Sequence, residues 1–482
     1  MFSVDGKRVV VVGAARSGVA AAQLLVTRGA DVTLTDLRPS LTEELVLREA
    51  GVKLELGGHR RETLAAADLI VLSPGVSPTQ RDVAAAAAAG VPVIGELELA
   101  TRWFRGRIVA ITGTKGKSTT TTLIGRMVEA GGMKTLVGGN IGVPLSAQVD
   151  ASSPDAVHVI EASSFQLETT EQFHPSIAVF LNFSPDHLDR HANVEEYAAA
   201  KARIFANQTE RDWAVINVDD AEAVRLSGQA RARRVTFSAS GAANADFAVV
   251  GDAIVRRRAA NAGAAGAASA TGAAGTGAGT GGAVGAGETR LVPLAAVKLL
   301  GKHLLTDVVA AAAVADLLGI SPDAMTRAVA SFTGLEHALE PVADVAGIRF
   351  VNDSKATNVE AAERAIESFG RDLAVIIGGR YKGGDFGLLR EPLRARGATV
   401  IAIGEASRLL HHALGDFMPV RDASSMSEAV RIGFASVKPG GTVLLAPACS
   451  SFDMFQDYAE RGRRFKEAVA ALAEEMRRTR EQ

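Results

Sequence analysis

One cysteine, Cys449, stands in 482 residues. A lone thiol can close no internal disulfide and build no thiolate metal cage, which excludes the disulfide-built secreted scaffolds and fits a reducing compartment. Aromatic residues are also scarce: 2 Trp, 3 Tyr and 18 Phe make up 5% of the chain, so cores must rest on Val, Leu and Ala packed between helices and sheets. Charge of one sign is missing too. The 52 Lys and Arg against 54 Asp and Glu leave a net charge of −2, and no overall basic field exists to hold nucleic acid or anionic lipid. The most apolar long stretch, Leu299 to Ile320, is broken by Lys302, His303, Asp307 and Asp316, charges that a lipid-buried helix would have to pair or neutralise. It is expected to be a helix of a water-soluble protein. The N-terminal residues Met1 to Arg8 lack the basic-then-apolar pattern of an export signal. The expected location is therefore the cytoplasm, without membrane insertion.

What is present is a chain rich enough in apolar residues, 47% against 22% charged, to fold as several domains at roughly 100–200 residues each. Short Val/Ile/Leu runs alternate with Ala-rich amphipathic stretches. The runs are Arg8–Val12, Asp31–Thr35, Leu69–Leu72, Ile108–Thr112, Val157–Glu161, Ile177–Asn182, Ala214–Asn217, Ala374–Ile377, Val400–Ile403 and Val443–Ala446. Continuous apolar runs suit strands covered on both faces, and the intervening helices supply the crossovers that parallel strands need. The fold class expected is α/β. A strand feeding a glycine-bearing or functional turn recurs near Gly13, Gly113 and Gly378, which predicts three domains over 1–96, 97–333 and 334–482. Within the second, residues 259–288 are almost wholly Ala, Gly, Thr and Ser without hydrophobic period. Such a tract has too little side-chain surface to offset ordering entropy, so a flexible surface insertion is expected.

The run Ile108–Thr112 leads into Gly113-Thr114-Lys115-Gly116-Lys117-Ser118-Thr119-Thr120 and then an amphipathic stretch from Leu123 to Glu129. A strand, a glycine loop and a helix start are the context of a phosphate site: the glycines let backbone N–H groups face the phosphates, the helix N-terminus adds positive dipole, and Lys117 neutralises charge. Ser118 is placed to ligate Mg²⁺ beside it. The Gly-x-x-Gly-Lys-Ser spacing is two residues shorter between glycines than the general phosphate loop. Two later strand ends add oxygen and imidazole groups. One is Glu161, followed by Ala162-Ser-Ser-Phe-Gln166-Leu-Glu168; the other is the cluster Asn182-Phe-Ser-Pro-Asp186-His187-Leu-Asp189-Arg190-His191, whose density favours a metal or phosphate role for His187.

At these residues the sequence resembles the Mur ligase family, ATP-dependent amide-forming enzymes of peptidoglycan synthesis. The loop Gly113–Thr119 is similar to that family's nucleotide loop, which accounts for the short spacing. Glu161–Leu167, Asp186–Asp189, Asn352-Asp-Ser-Lys-Ala-Thr-Asn358 and Ala446-Pro-Ala-Cys-Ser-Ser-Phe-Asp453 resemble the branch that accepts D-glutamate. The resemblance implies an N-terminal Rossmann-like UDP-binding domain, a central P-loop ATPase-like domain with a mainly parallel sheet, and a C-terminal Rossmann-like domain that binds the amino acid. It implies ATP and two Mg²⁺ ions as cofactors, UDP-N-acetylmuramoyl-L-alanine and D-glutamate as substrates, and a monomer.

Residue by residue, the same resemblance implies that Gly113, Thr114, Lys115, Gly116, Lys117, Ser118 and Thr119, with Asn352 and Asp353, contact ATP. Ser118 and Glu161 would ligate one magnesium and His187 the second. Lys201, in Tyr197-Ala-Ala-Ala-Lys201, matches the family lysine that becomes a carbamate and accepts metal. Ser17, Gly18, Asp36, Arg38 and Gly75 match the UDP side, and Asn140 and Gln166 the muramoyl-alanine portion. Lys355, Thr357, Lys382, Ser451 and Tyr458 match the D-glutamate end. Two departures stand out. Ala338 occupies the position after Gly334-Leu-Glu-His337 where the family usually has arginine, and Leu304 and Asp307 replace its adenine-side asparagines. Cys449 has no pattern of a nucleophile around it and is expected to be a small packing residue.

Overall fold

The computed structural model describes residues 2–187, 190–257, 288–298 and 303–481. Three sheets carry the fold. In the first, five parallel strands lie in the order Lys53–Leu56, Asp31–Asp36, Arg8–Val12, Leu69–Leu72 and Val93–Gly95. Alternate side chains of a strand point to opposite faces. Val9 and Val11 accordingly pack with Leu25 and Leu34 on one side, while Val10 and Val12 pack with Leu64 and Val83 on the other. Covering on both faces is why the run is apolar without alternation.

The second sheet has nine strands, in the order Thr289–Pro293, Ala253–Arg256, Phe247–Val250, Arg233–Ser238, Trp213–Asn217, Ile177–Phe180, Arg107–Thr112, Val157–Glu161 and Thr135–Gly139. It is parallel except at one margin, where Phe247–Val250, Ala253–Arg256 and Thr289–Pro293 pair antiparallel. Arg256 lies opposite Thr289 across the last pair. The Ala/Gly-rich stretch thus leaves and re-enters the sheet at neighbouring positions. The insertion itself, apart from Glu288, lies outside the described residues, as do Leu299 to Lys302 of the apolar stretch. The described part of that stretch forms the helix His303–Leu317, whose residues Val308 to Ala315 are all fully buried in protein. Among the described residues no helix is long and apolar enough to cross a membrane.

The third sheet runs Glu340–Val345, Ile348–Asn352, Thr442–Leu445, Leu373–Gly378, Thr399–Ile403 and Val420–Ala423, parallel but for the first strand.

The chain forms two compact units, residues 1–297 with 305–331, and residues 298–304 with 332–482. The first unit holds two sheets because helix Glu96–Thr101 ties them together. The buried Glu98 carboxylate accepts N–H groups of Glu171 at 2.9 Å, Gln172 at 3.1 Å and Phe173 at 3.0 Å, and pairs with Arg102 at 2.8 Å. Leu24, from the first sheet's side, shares a core with Leu97, Leu145 and Val149. The three-way division of the chain thus meets two sheets in one unit and the third in the other.

Candidate functional site

In the first unit, strand Arg107–Thr112 lies between Val157–Glu161 and Ile177–Phe180, where the order of strands reverses direction along the sheet. Crevices beyond the C-terminal ends of strands at such a point are the habitual ligand sites of open α/β sheets. The loop Gly113–Gly116 leaves from that position. Gly116, with φ +81°, caps the helix Lys117–Ala130, and a Cβ on it would fall 2.1 Å from Asp307 Oδ1. Only glycine fits there. The loop is splinted by Asn182, whose Oδ1 accepts the N–H groups of Thr114 at 3.1 Å and Lys115 at 2.8 Å while its Nδ2 donates to Lys115 O at 3.1 Å. Thr114 N–H also donates to the Asn182 carbonyl at 3.0 Å.

Two lysines converge on this loop. Lys117 Nζ donates to the carbonyls of Gly113 and Thr114, each at 3.0 Å, and Lys201 Nζ donates to Gly113 O at 2.7 Å. Lys201 is only 1% exposed, on helix Val194–Ala202, with its ammonium 4.6 Å from the ring centre of Tyr197. Burial, reinforced by the charge of Lys117, pulls its pKa well below the ordinary lysine value and favours the neutral amine. Asp307 shows the reverse effect. Complete burial drives its carboxyl well above the usual range, and its Oδ2 has no hydrogen-bond partner.

Glu161 ends the strand beside Arg107–Thr112, opposite Ile111. Its Oε1 accepts Asn140 Nδ2 at 2.8 Å, while its buried Oε2 has no partner. Gln166 closes a capping box with Ser163 through its Oε1 and leaves a buried Nε2 without an acceptor. An orphaned carboxylate oxygen suits a hard cation, and an orphaned amide donor suits a polar ligand. His187, with φ +54°, lies 5.0 Å from the Phe165 ring and 6.2 Å from that of Tyr197. Asp186 is 3.7 Å from Lys115 Nζ, whereas Leu188 and Asp189 lie outside the described residues. Among the described residues no three His, Cys, Asp or Glu side chains form a ready metal cage. A cation here would draw on Glu161 and the Ser118 hydroxyl together with oxygens of a ligand.

The C-terminal ends of the first sheet gather the positions expected on the UDP side. Ser17 lies in the first turn of helix Arg16–Thr27, and Gly18 must be glycine because a Cβ would fall 1.8 Å from Gly13 O. Asp36 accepts Ala14 N–H at 2.6 Å and Arg38 Nε at 2.9 Å. These bonds, Arg38 foremost, hold its carboxyl down at about 2. Gly75 is exposed in the turn after Leu69–Leu72. Arg16 donates to Gly142 O at 3.1 Å and Arg190 to Ser77 Oγ at 2.9 Å, joining this rim to the loops that carry Asn140 and His187.

In the second unit, Asn352–Thr357, Lys382 and Ser451 follow the strands Ile348–Asn352, Leu373–Gly378 and Thr442–Leu445, which are neighbours in the sheet. The Asn352 amide is fully buried and engaged with His337 Nδ1 at 2.9 Å and Glu340 Oε2 at 3.0 Å, so the protein itself uses it. Asp353 accepts Leu339 N–H at 3.2 Å, and burial raises its carboxyl to about 7. Lys355, Lys382 and Tyr458 are exposed, Thr357 half-buried and Ser451 buried. Ala338 offers no charge, and its N–H closes a turn onto Leu335 O at 3.1 Å. Cys449 is buried with its thiol pushed up to about 12, the behaviour of a packing residue. Sequence patterns gave no role to Asn182 or to Arg461, a buried cation described below.

The Mur ligase MurD-like, N-terminal domain matches residues 7–95, the Mur ligase middle domain residues 111–315, and the Mur ligase, glutamate ligase domain residues 339–449. The UDP-N-acetylmuramoylalanine--D-glutamate ligase of Acidobacterium capsulatum is 42% identical over 98% of this chain and 97% of its own length. That of Koribacter versatilis is 40% identical over 98% and 99%. Among solved structures, UDP-N-acetylmuramate-alanine ligase of Thermotoga maritima shares the fold with a TM-score of 0.58 at 17% identity, covering 96% of this chain and 99% of that one.

Proposed function

The chain belongs to the Mur ligase family, and on that premise we propose that it joins D-glutamate to the alanine carboxylate of UDP-N-acetylmuramoyl-L-alanine at the expense of ATP, in peptidoglycan precursor synthesis. The observation that carries the chemistry is the glycine-capped helix start with two lysines, Lys117 and the buried Lys201, on the carbonyl of Gly113. A substrate carboxylate oxygen attacks the γ-phosphorus and ADP departs. The amine of the incoming amino acid then adds to the carbonyl carbon of the acyl phosphate, and the tetrahedral intermediate collapses to amide and phosphate with loss of the amine's proton. Negative charge accumulates throughout, which is where fixed cations and backbone N–H groups act most strongly. The loop Gly113–Thr119 binds the phosphates, with Asn182 holding its shape and Lys117 released from its carbonyls to the transferring group.

Magnesium, when bound, supplies Lewis-acid stabilisation of the transferring oxygens. Ser118 and Glu161 would hold one ion and His187 the second. Asn140 aims Glu161 by its 2.8 Å bond, and the orphaned Nε2 of Gln166 is available to the muramoyl-alanine portion. The depressed basicity of Lys201 suits capture of CO₂, since only the neutral amine reacts; the carbamate, formed with loss of a proton, would turn a neutral amine into an anionic oxygen donor. Ser17, Gly18, Asp36, Arg38 and Gly75 receive the UDP, and Asp353 the nucleotide. Lys355, Thr357, Lys382, Ser451 and Tyr458 receive D-glutamate, whose two carboxylates need cationic and hydroxyl partners. The enzyme acts as a cytoplasmic monomer.

Amide formation with UDP-N-acetylmuramoyl-L-alanine, ATP, Mg²⁺ and D-glutamate, D-aspartate, L-glutamate or a diamino acid in turn tests the assignment. Phosphate release should require the UDP-sugar and be fastest with D-glutamate. Preference for L-glutamate or the diamino acid overturns the acceptor, and release independent of both substrates overturns the ligase.

A further inference from the structure

Arg461, in the first turn of helix Tyr458–Glu481, is the largest fully buried side chain among the described residues, 1% exposed. Its hydrogen bonds all go to neutral oxygens, and the carboxylate of Asp453 acts on it through charge alone. Nε donates to Ser354 Oγ at 2.9 Å, Nη2 to Ser354 O at 2.8 Å and Nη1 to Cys449 O at 3.0 Å. Burying a guanidinium costs more than burying an apolar side chain of similar volume, so its retention asks what the planar fork does that a hydrocarbon could not.

The fork joins three segments distant in sequence. Ser354 immediately precedes Lys355, Cys449 lies two residues before Ser451, and the Ser354 hydroxyl in turn donates a hydrogen bond to Tyr458 O at 2.7 Å. Backbone bonds continue the brace: Ala448 N–H reaches Ala356 O at 2.9 Å, and Arg380 and Ser450 exchange N–H···O bonds at 2.9 and 3.1 Å, bringing in the segment of Lys382. Gly462 must be small for this seating, because a Cβ there would fall 2.2 Å from His337 Nδ1.

We infer that Arg461 is the positioning residue of the amino-acid end, setting the spacing between the 352–358 and 446–453 loops without touching the acceptor. This rests on the acceptor site proposed above. Without it only a few backbone bonds, Ala448 to Ala356 and Arg380 with Ser450, would hold these loops together, and misplacement of about 1 Å is enough to cost ~10²-fold in a reaction that depends on orientation.

Steady-state kinetics of Arg461→Ala and Arg461→Lys test it. Both should raise KM for D-glutamate at least about 10-fold and leave KM for the UDP-sugar within about twofold, since the residues proposed for that substrate belong to the other compact unit. Millimolar guanidinium should lower the raised KM of Arg461→Ala, while the lysine variant, which keeps the charge but not the fork, should not recover. If Arg461→Ala does not fold, Ser354→Ala, which removes the hydroxyl link and keeps the cation, should raise the same KM by a smaller factor. Parallel rises in both KM values, or a lowered melting temperature with both unchanged, overturn the inference. Wild-type enzyme that rejects D-glutamate overturns the acceptor reading instead, and the same two-KM comparison is then made with the amino acid it does use.

Discussion

Gly113 to Thr119 are contiguous, whereas the residues proposed for the amino acid, Lys355, Thr357, Lys382, Ser451 and Tyr458, are spread over four segments of the second unit. The phosphate loop needs one strand, one glycine turn and one helix start, and its binding groups are backbone N–H groups with Lys117 beside them. The proposed amino-acid end is assembled only after three strands have taken neighbouring places in a sheet, with Arg461 bridging two of their loops. Damage to the first should therefore act on the chemistry with the fold intact, and damage to the second on alignment and stability together. Each region also buries one acid, Asp307 beneath the phosphate loop and Asp353 at the foot of the 352–358 segment, both raised by burial.

The largest effect expected is at the two lysines. Lys117→Ala should lower turnover by at least ~10²-fold, the size of one strong transition-state stabiliser, with an unchanged circular dichroism spectrum. Lys201→Ala should be nearly inactive and partly restored by a small carboxylic acid, not by its uncharged amide. Near-normal ligation in either would remove the functional contrast between the regions.

A smaller, pH-dependent effect separates the two acids from their neighbours. The folded protein holds the Asp353 proton to about pH 7, while the unfolded chain releases it in the usual carboxylate range. This group therefore favours the fold below about pH 4, and that contribution is lost as pH rises towards 7. Asp353→Asn should leave the melting temperature nearly unchanged at pH 4 and raise it by about a few degrees at pH 8. Asp307→Asn should follow the same sign in the first unit. A variant destabilised at pH 8 would show that the ionised carboxylate is held by partners rather than penalised.

The smallest effect is expected from replacing residues 259–288 by a short Gly/Ser link. Arg256 and Thr289 are paired neighbours, and loop length contributes only logarithmically to closure. Turnover and melting temperature should both stay within error; a large loss of either would show the tract to be functional.

Most central strands were legible as continuous apolar runs, whereas the margins and the inner strands Arg233–Ser238, Phe247–Val250, Ala253–Arg256 and Ile348–Asn352 were not. At the margins, Thr135–Gly139 and Glu340–Val345 are part-buried and carry glycine or acids, so they lack the run that a strand covered on both faces must have. The run Ile177–Asn182 ends as a strand at Phe180, because Leu181 and Asn182 turn aside to hold the phosphate loop. Asn182 was visible as one polar residue in a dense cluster, and nothing local marked its amide as the splint of residues 65 to 70 positions earlier.

Composition, apolar periodicity and the Gly113–Ser118 spacing were enough to determine an α/β chain with a phosphate loop, because those properties depend on residues adjacent along the backbone and on the hydrophobic face each element must cover. The depth at which Lys201, Asp307 and Asp353 lie, and the fork of Arg461 across Ser354 and Cys449, were decided by the tertiary structure. Ionisation and alignment depend on how much water is removed from a group and which distant backbone carbonyls replace it, and neither quantity exists until the sheets have ordered their strands.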